Sequence, residues 1–197
     1  MANVLNRQTL LYLDSVNTPD YDPSEWLINP DLSEVEDVPK HYWKITEDDQ
    51  VVAMTQDEQA NSDLLSIYQG LDLVGAVRVK HDLVNTFRDE KLNGGWLYQG
   101  IHYDSDVVSR SNMTGIMTLI STGYTLPAEF TFRAQNNTDV HFDNATFTAF
   151  YQCSCVWAEM IYRTSWYHKA QIKALTSIQD VAMYNYALGW PEGFSGQ

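Results

Sequence analysis

The sequence has few cysteines and no long apolar run. Only 2 of its 197 residues are cysteines. Cys153 and Cys155 are one residue apart, which on a helix turns their side chains about 200° from each other. We therefore expect buried free thiols rather than a disulfide or a zinc site, and synthesis in a cytoplasm-like compartment. No segment approaches the ~20 apolar residues that span a bilayer, and residues 1–7 do not resemble a signal peptide. The sequence predicts no membrane insertion.

Basic residues are also scarce. The chain holds 12 Lys and Arg against 26 Asp and Glu, which gives a net charge of −14 at pH 7. Nucleic-acid binding depends on cations that displace the counterions of phosphate, so this charge excludes nucleic acid as a partner. The sequence also lacks a phosphate-binding glycine loop and the Gly-x-Ser-x-Gly and His-Glu-x-x-His motifs. We expect a protein that is not an enzyme and has no cofactor.

Hydrophobic residues make up 44% of the chain and aromatic residues 13%, enough to predict a folded core. The acidic residues are concentrated at one end. Residues 1–63 hold 14 acidic and 3 basic residues, a balance of −11, whereas residues 64–197 hold 12 acidic and 9 basic residues, a balance of −3. This asymmetry predicts regions with different roles. We expect residues 1–54 to be an acidic, β-rich docking region for a basic surface of another protein.

Short strands and turns are predicted in this N-terminal region. Strands are expected over 9–16 and 26–28, each bounded by turns rich in Pro, Asn and Asp. Residues 42–54 have the pattern of a β-hairpin, with a polar turn at 47–50.

Residues 55–93 are predicted to be a helical connector. Thr55 and Glu58 have the spacing of a capping box, in which each side chain satisfies a free amide of the first turn. A helix should therefore begin here and continue, with breaks, to about Leu92. Its apolar residues recur every three or four positions, which suits either a core face or a self-association seam in an oligomer. The candidate seam residues are Leu64, Ile67, Leu71, Val74, Val77, Val84 and Phe87.

Residues 94–197 are predicted to form two successive ββα units, so the fold class is α+β. Hairpins are expected over 96–104 and 130–142, and helices over 107–121 and 145–177, with a shorter segment to Leu188. Gly95 and Gly100 are expected to allow turn conformations that other residues avoid. Ser105 and Asp106 are placed to cap the helix that follows. Gly115, within that helix, is expected to allow close packing against a hairpin. The expected fold-specifying residues are Gly95, Gly100, Ser105, Asp106, Asn112 and Gly115.

Several motifs of this region follow the order found in a known family. They are Arg-Asp-Glu-Lys-Leu-Asn-Gly-Gly at 88–95, the turn at 98–100, Tyr-Asp-Ser-Asp at 103–106 and Ser-Arg-Ser-Asn-Met-Thr-Gly at 109–115. In this order they resemble the uncharacterised, DUF4376-like domain at the C-terminal end of many bacteriophage tail-fibre and tail-associated proteins. The resemblance covers roughly residues 85–180, and three stretches between 29 and 58 resemble the segment that precedes this domain. The resemblance implies a trimeric part of a phage tail.

Two strands place acidic residues and a histidine on one face, a pattern that could hold a divalent cation. The residues are His102, Asp104 and Asp106, and then Asp139, His141 and Asp143. Asp106 and Asp143, however, stand where helix caps are expected, so we expect no metal site. His41, His81 and His168 stand alone and are expected to be ordinary hydrogen-bonded side chains.

The final helix is rich in Trp and Tyr. Trp157 and Trp166 lie on neighbouring rows of the helix surface. We expect this helix to be covered on more than one side, by the hairpins and by a neighbouring subunit, and both residues are candidate interface residues. Stacking of exposed rings on host-surface sugars is the alternative use.

The resemblance and the lack of catalytic motifs predict a non-enzymatic structural component of a bacteriophage tail, either a tail-fibre or a baseplate-associated protein. It would be made in the host bacterial cytoplasm and located in the virion, as a homotrimer that contacts other tail proteins in assembly and attachment. Two alternatives stay open: a tail-fibre assembly chaperone that is absent from the virion, and a module that binds host-surface glycans.

Overall fold

The computed structural model describes residues 2–194, which contain five α-helices and ten short strands in small sheets. This content confirms the α+β fold class. The chain divides into two compact units, Met1–Gly70 and Leu71–Gln197. The division differs from the three predicted regions because the helical stretch 55–93 is shared, with one helix in each unit.

The N-terminal unit contains a three-stranded antiparallel sheet in which β1 (Ala2–Asn6) lies between β2 (Tyr12–Val16) and β3 (Trp26–Ile28). The predicted hairpin is confirmed as β4 (Trp43–Ile45) and β5 (Val51–Ala53). The core cluster of this unit consists of Leu5, Leu27, Val35, Trp43 and Val51, and Val4 and Tyr68 are buried as well.

The sequence predicted β3 correctly but misplaced the start of β2 and missed β1. The strand expected over 9–16 begins only at Tyr12, because residues 6–11 form a turn. Asn6 Oδ1 accepts hydrogen bonds from the amides of Gln8 and Thr9 at 3.0 and 2.8 Å, and Leu10 has a φ of 54°. An Asx turn of this kind competes with strand pairing.

The predicted helical stretch consists of two helices. α1 (Gln56–Ser66) begins with the predicted capping box, in which Thr55 and Glu58 each accept a hydrogen bond from the other's amide. α2 (Leu73–Asn93) has its own N-cap, Asp72, whose carboxylate accepts a hydrogen bond from the Gly75 amide at 2.7 Å. The break at 67–72 includes Gly70, whose φ of 78° is readily adopted only by glycine.

In the C-terminal unit, the predicted order of two ββα units is confirmed. The first consists of β6 (Trp96–Tyr98), β7 (Ile101–Tyr103) and α3 (Val107–Ser121). The second consists of β8 (Thr131–Arg133), β9 (Asp139–His141) and α4 (Asn144–Lys173).

Elements distant in sequence complete this unit. Helix α2 packs on α4, and α5 (Ile178–Met183) packs on α2. The final strand β10 (Gly193–Phe194), which was not predicted, pairs in parallel with β6. α4 ends four residues before the predicted end at Ser177, because the Ser177 hydroxyl caps α5 by accepting a hydrogen bond from the Asp180 amide at 3.0 Å.

Aromatic rings form the core of the C-terminal unit. Phe150 of α4 is fully buried. Its ring centroid lies 4.7–5.7 Å from those of six other rings. Both hairpins contribute, so this cluster joins the two ββα units. The six rings are those of Trp96, Tyr98, Tyr103, Phe132, Phe142 and Phe147.

Four of the six predicted fold-specifying residues have an observed local role. Gly100 has a φ of 79° and follows Gln99 at 49°, as a two-residue hairpin turn requires. Gly95 has a φ of 97°, and its amide donates to the buried Ser105 hydroxyl at 2.9 Å. Asp106 caps α3 by accepting hydrogen bonds from the amides of the second and third helical residues.

The expectation for Gly115 is wrong. A Cβ built at this position meets no atom within 4 Å, so Gly115 lies on an open side of α3 and allows no close packing against a hairpin. Asn112 is also exposed on α3, and nothing in the structure explains a fold-specifying role for it.

Two glycine-to-alanine substitutions are expected to change stability in opposite directions. Gly95→Ala forces an L-residue into a left-handed conformation and brings a Cβ within 3.0 Å of the Tyr103 carbonyl oxygen, so it should destabilise the protein by about 1–3 kcal/mol. Gly115→Ala adds a better helix former in open space and should stabilise it by about 0.5–1 kcal/mol. Urea unfolding of both variants measures the effect; the same sign for both would contradict the prediction.

Candidate interaction surfaces

Helix α4 has a buried side that belongs to the core of the C-terminal unit. Buried positions recur every three or four residues from Phe147 to Ile172. Trp157 belongs to this side: it is 2% exposed, and its indole Nε1 donates a hydrogen bond to the Pro191 carbonyl at 3.2 Å. The expectation that Trp157 contributes to an oligomer interface is therefore not supported, because its ring is already packed within its own unit.

The other side of α4 exposes large apolar side chains, which we call the α4 apolar face: Val156, Met160, Tyr162, Trp166 and Tyr167. They are 39–59% exposed, and the rings of Tyr162 and Trp166 lie 6.4 Å apart between centroids. The Arg88 guanidinium lies 5.3 Å from the Tyr162 ring centre. Large exposed apolar side chains on one side of a helix indicate an interaction site, and this side also carries the exposed ion pair between Arg163 and Glu159.

The seven predicted seam residues do not lie on a single helix. Leu64 is on α1 and Ile67 just beyond it, both in the N-terminal unit, whereas the other five belong to the C-terminal unit. The capped start of α2 at Asp72 interrupts the pattern. The single helical seam predicted over 64–92 is therefore absent.

Within the C-terminal unit, the seam candidates differ in exposure. Val84 is fully buried, and the Phe87 ring packs edge-on against the rings of Tyr186 and Trp190, at 5.7 and 5.4 Å. Val74 is 77% exposed near the start of α2. The remaining two, Leu71 and Val77, are half-buried. Val74 thus remains the most accessible of the predicted seam residues of α2.

The N-terminal unit carries most of the net charge. Its 14 acidic residues face 3 basic ones, and two of these bases are already paired within the unit, Arg7 with Asp49 and Lys44 with Glu58. Exposed acidic residues such as Glu34, Glu36 and Asp37 therefore outnumber the bases that could neutralise them. Such a surface attracts basic partners and repels acidic ones.

Glu58 is the acidic residue of this unit with the largest pKa shift. Its carboxylate accepts hydrogen bonds from Lys44 Nζ at 2.6 Å and from the Thr55 amide at 2.8 Å. The Lys44 hydrogen bond is the main cause that lowers the Glu58 pKa from 4.5 to about 2, and the Thr55 amide adds to it. The charged form of Glu58 thus links hairpin β4–β5 to the start of α1.

The Glu58 contribution to stability is expected to disappear in acid. Because the folded-state pKa is lowered to about 2, the contribution is fully present above pH 4.5 and is lost as the pH falls toward 2. Glu58→Gln should therefore destabilise the N-terminal unit at about pH 6, and its difference from wild type should shrink by about pH 3, in urea unfolding. The control is Glu47→Gln, in the exposed turn of hairpin β4–β5, which should show no such loss. A difference for Glu58→Gln that stays constant with pH would contradict the prediction.

The two groups of acidic residues and histidine form no metal site among residues 2–194, where no three His, Cys, Asp or Glu side chains come together. Asp106 and Asp143 are N-caps, and hydrogen bonds from Ser109 and Thr146 lower their pKa values. Asp139 pairs with Arg133 at 2.9 Å. These carboxylates therefore already have local structural partners.

The buried polar side chains were not expected from the sequence. Lys80 is 2% exposed, donates a hydrogen bond from Nζ to the Ala182 carbonyl at 2.7 Å, and has its pKa lowered by burial. The spacing in the sequence could have indicated this burial, because Lys80 is four residues from both Ala76 and Val84. Both of these are buried on the same row of α2.

His168 is buried and hydrogen-bonded through both ring nitrogens, to the Tyr184 hydroxyl at 2.9 Å and the Leu188 carbonyl at 3.0 Å, which confirms an ordinary structural histidine.

Both cysteines are free, as predicted, but they are not buried: Cys155 is exposed and Cys153 is half-exposed. They lie toward the edge of the buried side of α4, which is centred on Ser154, Trp157 and Ile161.

The fold and surfaces define a two-unit α+β protein with an exposed apolar helix face and an acidic N-terminal unit. The model of a family described as a domain of unknown function (DUF4376) matches residues 76–187, more than half of the chain. The chain therefore belongs to this family. The matched segment begins in α2, includes both ββα units and extends beyond α5. No curated protein and no solved structure matches the chain. None of the helices described in residues 2–194 is long and apolar enough to cross a membrane.

Proposed function

We propose that this protein is a non-enzymatic structural component of a bacteriophage tail, a tail-fibre or baseplate-associated protein that acts in virion assembly and attachment. The proposal is supported by the order of the motifs over 88–115 and by the stretches between 29 and 58, which resemble phage tail-associated proteins. The protein would be made in the host cytoplasm and located in the tail of the virion.

The observation that carries an assembly role is the α4 apolar face. A helix that exposes Trp166 and Tyr167 at 58% and 59% leaves large aromatic rings in water, and their burial against another chain is favourable. We expect this face to pack against other copies of the chain in a homotrimer. The three-fold symmetry follows from the resemblance to tail proteins.

The acidic N-terminal unit is suited to bind a different partner. Since its acidic residues are largely unpaired within the unit, a basic surface of another tail protein would be attracted over a long range, and binding would weaken as salt increases. This arrangement assigns self-association to the C-terminal unit and docking to the N-terminal unit.

Two measurements test the proposal. Light scattering after size exclusion should give a mass about three times the 22.6 kDa of one chain. Mass spectrometry of purified virions of the encoding phage should detect the chain in stoichiometric amounts. A trimer absent from virions would favour the assembly chaperone, and a monomer absent from virions would contradict both parts of the proposal.

The glycan-binding alternative depends on the same exposed rings. Tyr162 and Trp166 are adjacent, and a sugar ring stacked on them would quench tryptophan fluorescence. Saturable quenching by host-surface polysaccharide, lost in Trp166→Ala but retained in Trp26→Phe, would support receptor binding. No quenching would eliminate this alternative.

A further inference from the structure

The α4 apolar face consists of two separate rows of side chains. Tyr162 and Trp166 form the first row, which we call the Trp166 row, and Val156, Met160 and Tyr167 form the second, the Tyr167 row. Met160 and Trp166 are six residues apart, so at 3.6 residues per turn they point about 120° away from each other. The helix therefore offers two different apolar patches rather than one continuous patch.

Charge does not oppose contact between copies of the chain at α4. Glu159 is the single acidic residue among the 30 residues of this helix, although the whole chain has 26 acidic residues. Glu159 forms an ion pair with Arg163, and the helical positions of these two residues lie between the two rows. Copies that carry a net charge of −14 repel each other elsewhere, but here the negative charge is compensated.

A groove opens beside the Tyr167 row. Its volume is about 270 Å³, more than the ~150 Å³ of a cavity that holds benzene. Among the residues that line it are Thr164 and Tyr167 of α4, and Leu188 and Gly189 from the segment after α5. The Tyr167 and Leu188 side chains are 59% and 66% exposed, so they are accessible to an occupant of the groove. The groove has room for an indole ring and offers it apolar contacts.

Trp166 of the same chain is directed away from this groove. It directly precedes Tyr167, so its side chain points about 100° away from that of Tyr167. The Trp166 row lies beside α2, since the Arg88 guanidinium is 5.3 Å from the Tyr162 ring centre, whereas the groove lies beside the segment after α5. An indole that fills the groove must therefore come from another copy.

The symmetry of a three-membered ring requires two patches of this kind. In such a ring each subunit contacts its two neighbours through two different surfaces, whereas a two-fold dimer pairs one surface with itself. The Trp166 row projects a large ring, and the groove beside the Tyr167 row can accept one. A single helix thus carries both halves of a head-to-tail junction.

We propose that the groove beside Tyr167 and Leu188 is the binding site for Trp166 of a second copy of this chain. The Trp166 row of each copy packs on the Tyr167 row of the next, and three identical junctions close the ring. Burial of an exposed indole against apolar side chains makes each junction favourable. This inference rests on the homotrimer of the proposed function and adds which surfaces meet in it.

Leu188→Glu tests the groove side of the junction. Leu188 is 66% exposed, so the substitution should leave the fold intact while it places a charge against the incoming indole. We expect the dissociation constant of the trimer to rise at least about tenfold, measured by light scattering over a range of concentrations. The matched control is Leu119→Glu, at a leucine of α3 that is 51% exposed, which should remain a trimer. If circular dichroism shows that Leu188→Glu does not fold, Tyr167→Glu takes its place with the same expectation.

A mixture of two dissociated variants distinguishes a head-to-tail junction from one in which three Trp166 rows meet. Trp166→Glu keeps its groove and Leu188→Glu keeps its indole, so the two variants can form one intact junction. We expect their equimolar mixture to give a complex of about twice the 22.6 kDa of one chain, whereas each variant alone is a monomer. If Leu188→Glu stays a trimer, or the mixture stays monomeric, the inference is overturned while the homotrimer of the wild type stands. A monomeric wild type would overturn both.

Discussion

Phe150→Ala is expected to cost about 3–5 kcal/mol of folding free energy, a large fraction of the total stability of a domain. Phe150 is fully buried and lies in the middle of a cluster of six other aromatic rings from both hairpins and α4. Removal of its ring leaves a cavity where the two ββα units meet, and the surrounding rings can fill it only partly. Chemical unfolding followed by near-ultraviolet circular dichroism measures the effect.

Phe130→Ala is the matched control for this substitution. It removes the same side chain, but Phe130 is half-buried and has one ring neighbour, Phe147, at 6.0 Å. We therefore expect a clearly smaller loss. Equal losses for the two variants would show that the cluster around Phe150 is not the centre of the core.

Trp166→Glu is expected to dissociate the proposed homotrimer. Trp166 is the most exposed Trp of α4, and a glutamate in its place would bury an unpaired charge at the interface of three subunits. Large aromatic residues at the centre of interfaces contribute about 2–4 kcal/mol each, so the dissociation constant should rise at least about 30-fold. Light scattering over a range of concentrations measures the shift from trimer to monomer.

Tyr124→Glu is the control for dissociation. Tyr124 is 50% exposed, and its carbonyl accepts a hydrogen bond from Asn144 at the start of α4. Asn144 lies 22 residues before Trp166 on α4, or about 33 Å at ~1.5 Å per residue, so Tyr124 lies beside the end of α4 that is remote from Trp166. The same charge placed there should leave the trimer intact. A trimer that survives Trp166→Glu would exclude the α4 apolar face as its interface, and dissociation by both variants would indicate general loss of structure.

The starts of α1, α3 and α4 were predictable because the responsible interactions are local. Thr55, Asp106 and Asp143 each cap a helix by accepting hydrogen bonds from amides two or three residues ahead. The hairpin turn at Gln99 and Gly100 depends on two adjacent residues. A side chain and an amide within one turn of each other form the same contact in nearly any tertiary context, so the sequence alone carries this information.

The candidate surfaces were only partly predictable. The aromatic residues of the final helix were recognised as a group, but Trp157 and Trp166 were expected on neighbouring rows of its surface. That placement is wrong, because nine residues on a helix turn the two side chains about 180° apart, and only Trp157 is buried. Which of the two rings enters the core depends on where Phe150 and the two hairpins lie. A small cavity lined by Trp96 of β6, Met113 of α3 and Trp157 of α4 was not predictable at all, since its walls come from three separate elements.

The sequence by itself thus determined the α+β class, the order of the two ββα units, most helix starts and the acidic character of residues 1–63. The tertiary structure decided the unit boundary at Gly70, the pairing of β10 with β6 about 95 residues away, the exposure of Cys155 and the side of α4 that faces water. The physical reason is the range of the interactions: caps and turns form between neighbours in the chain, whereas burial results from contacts between segments that only folding brings together.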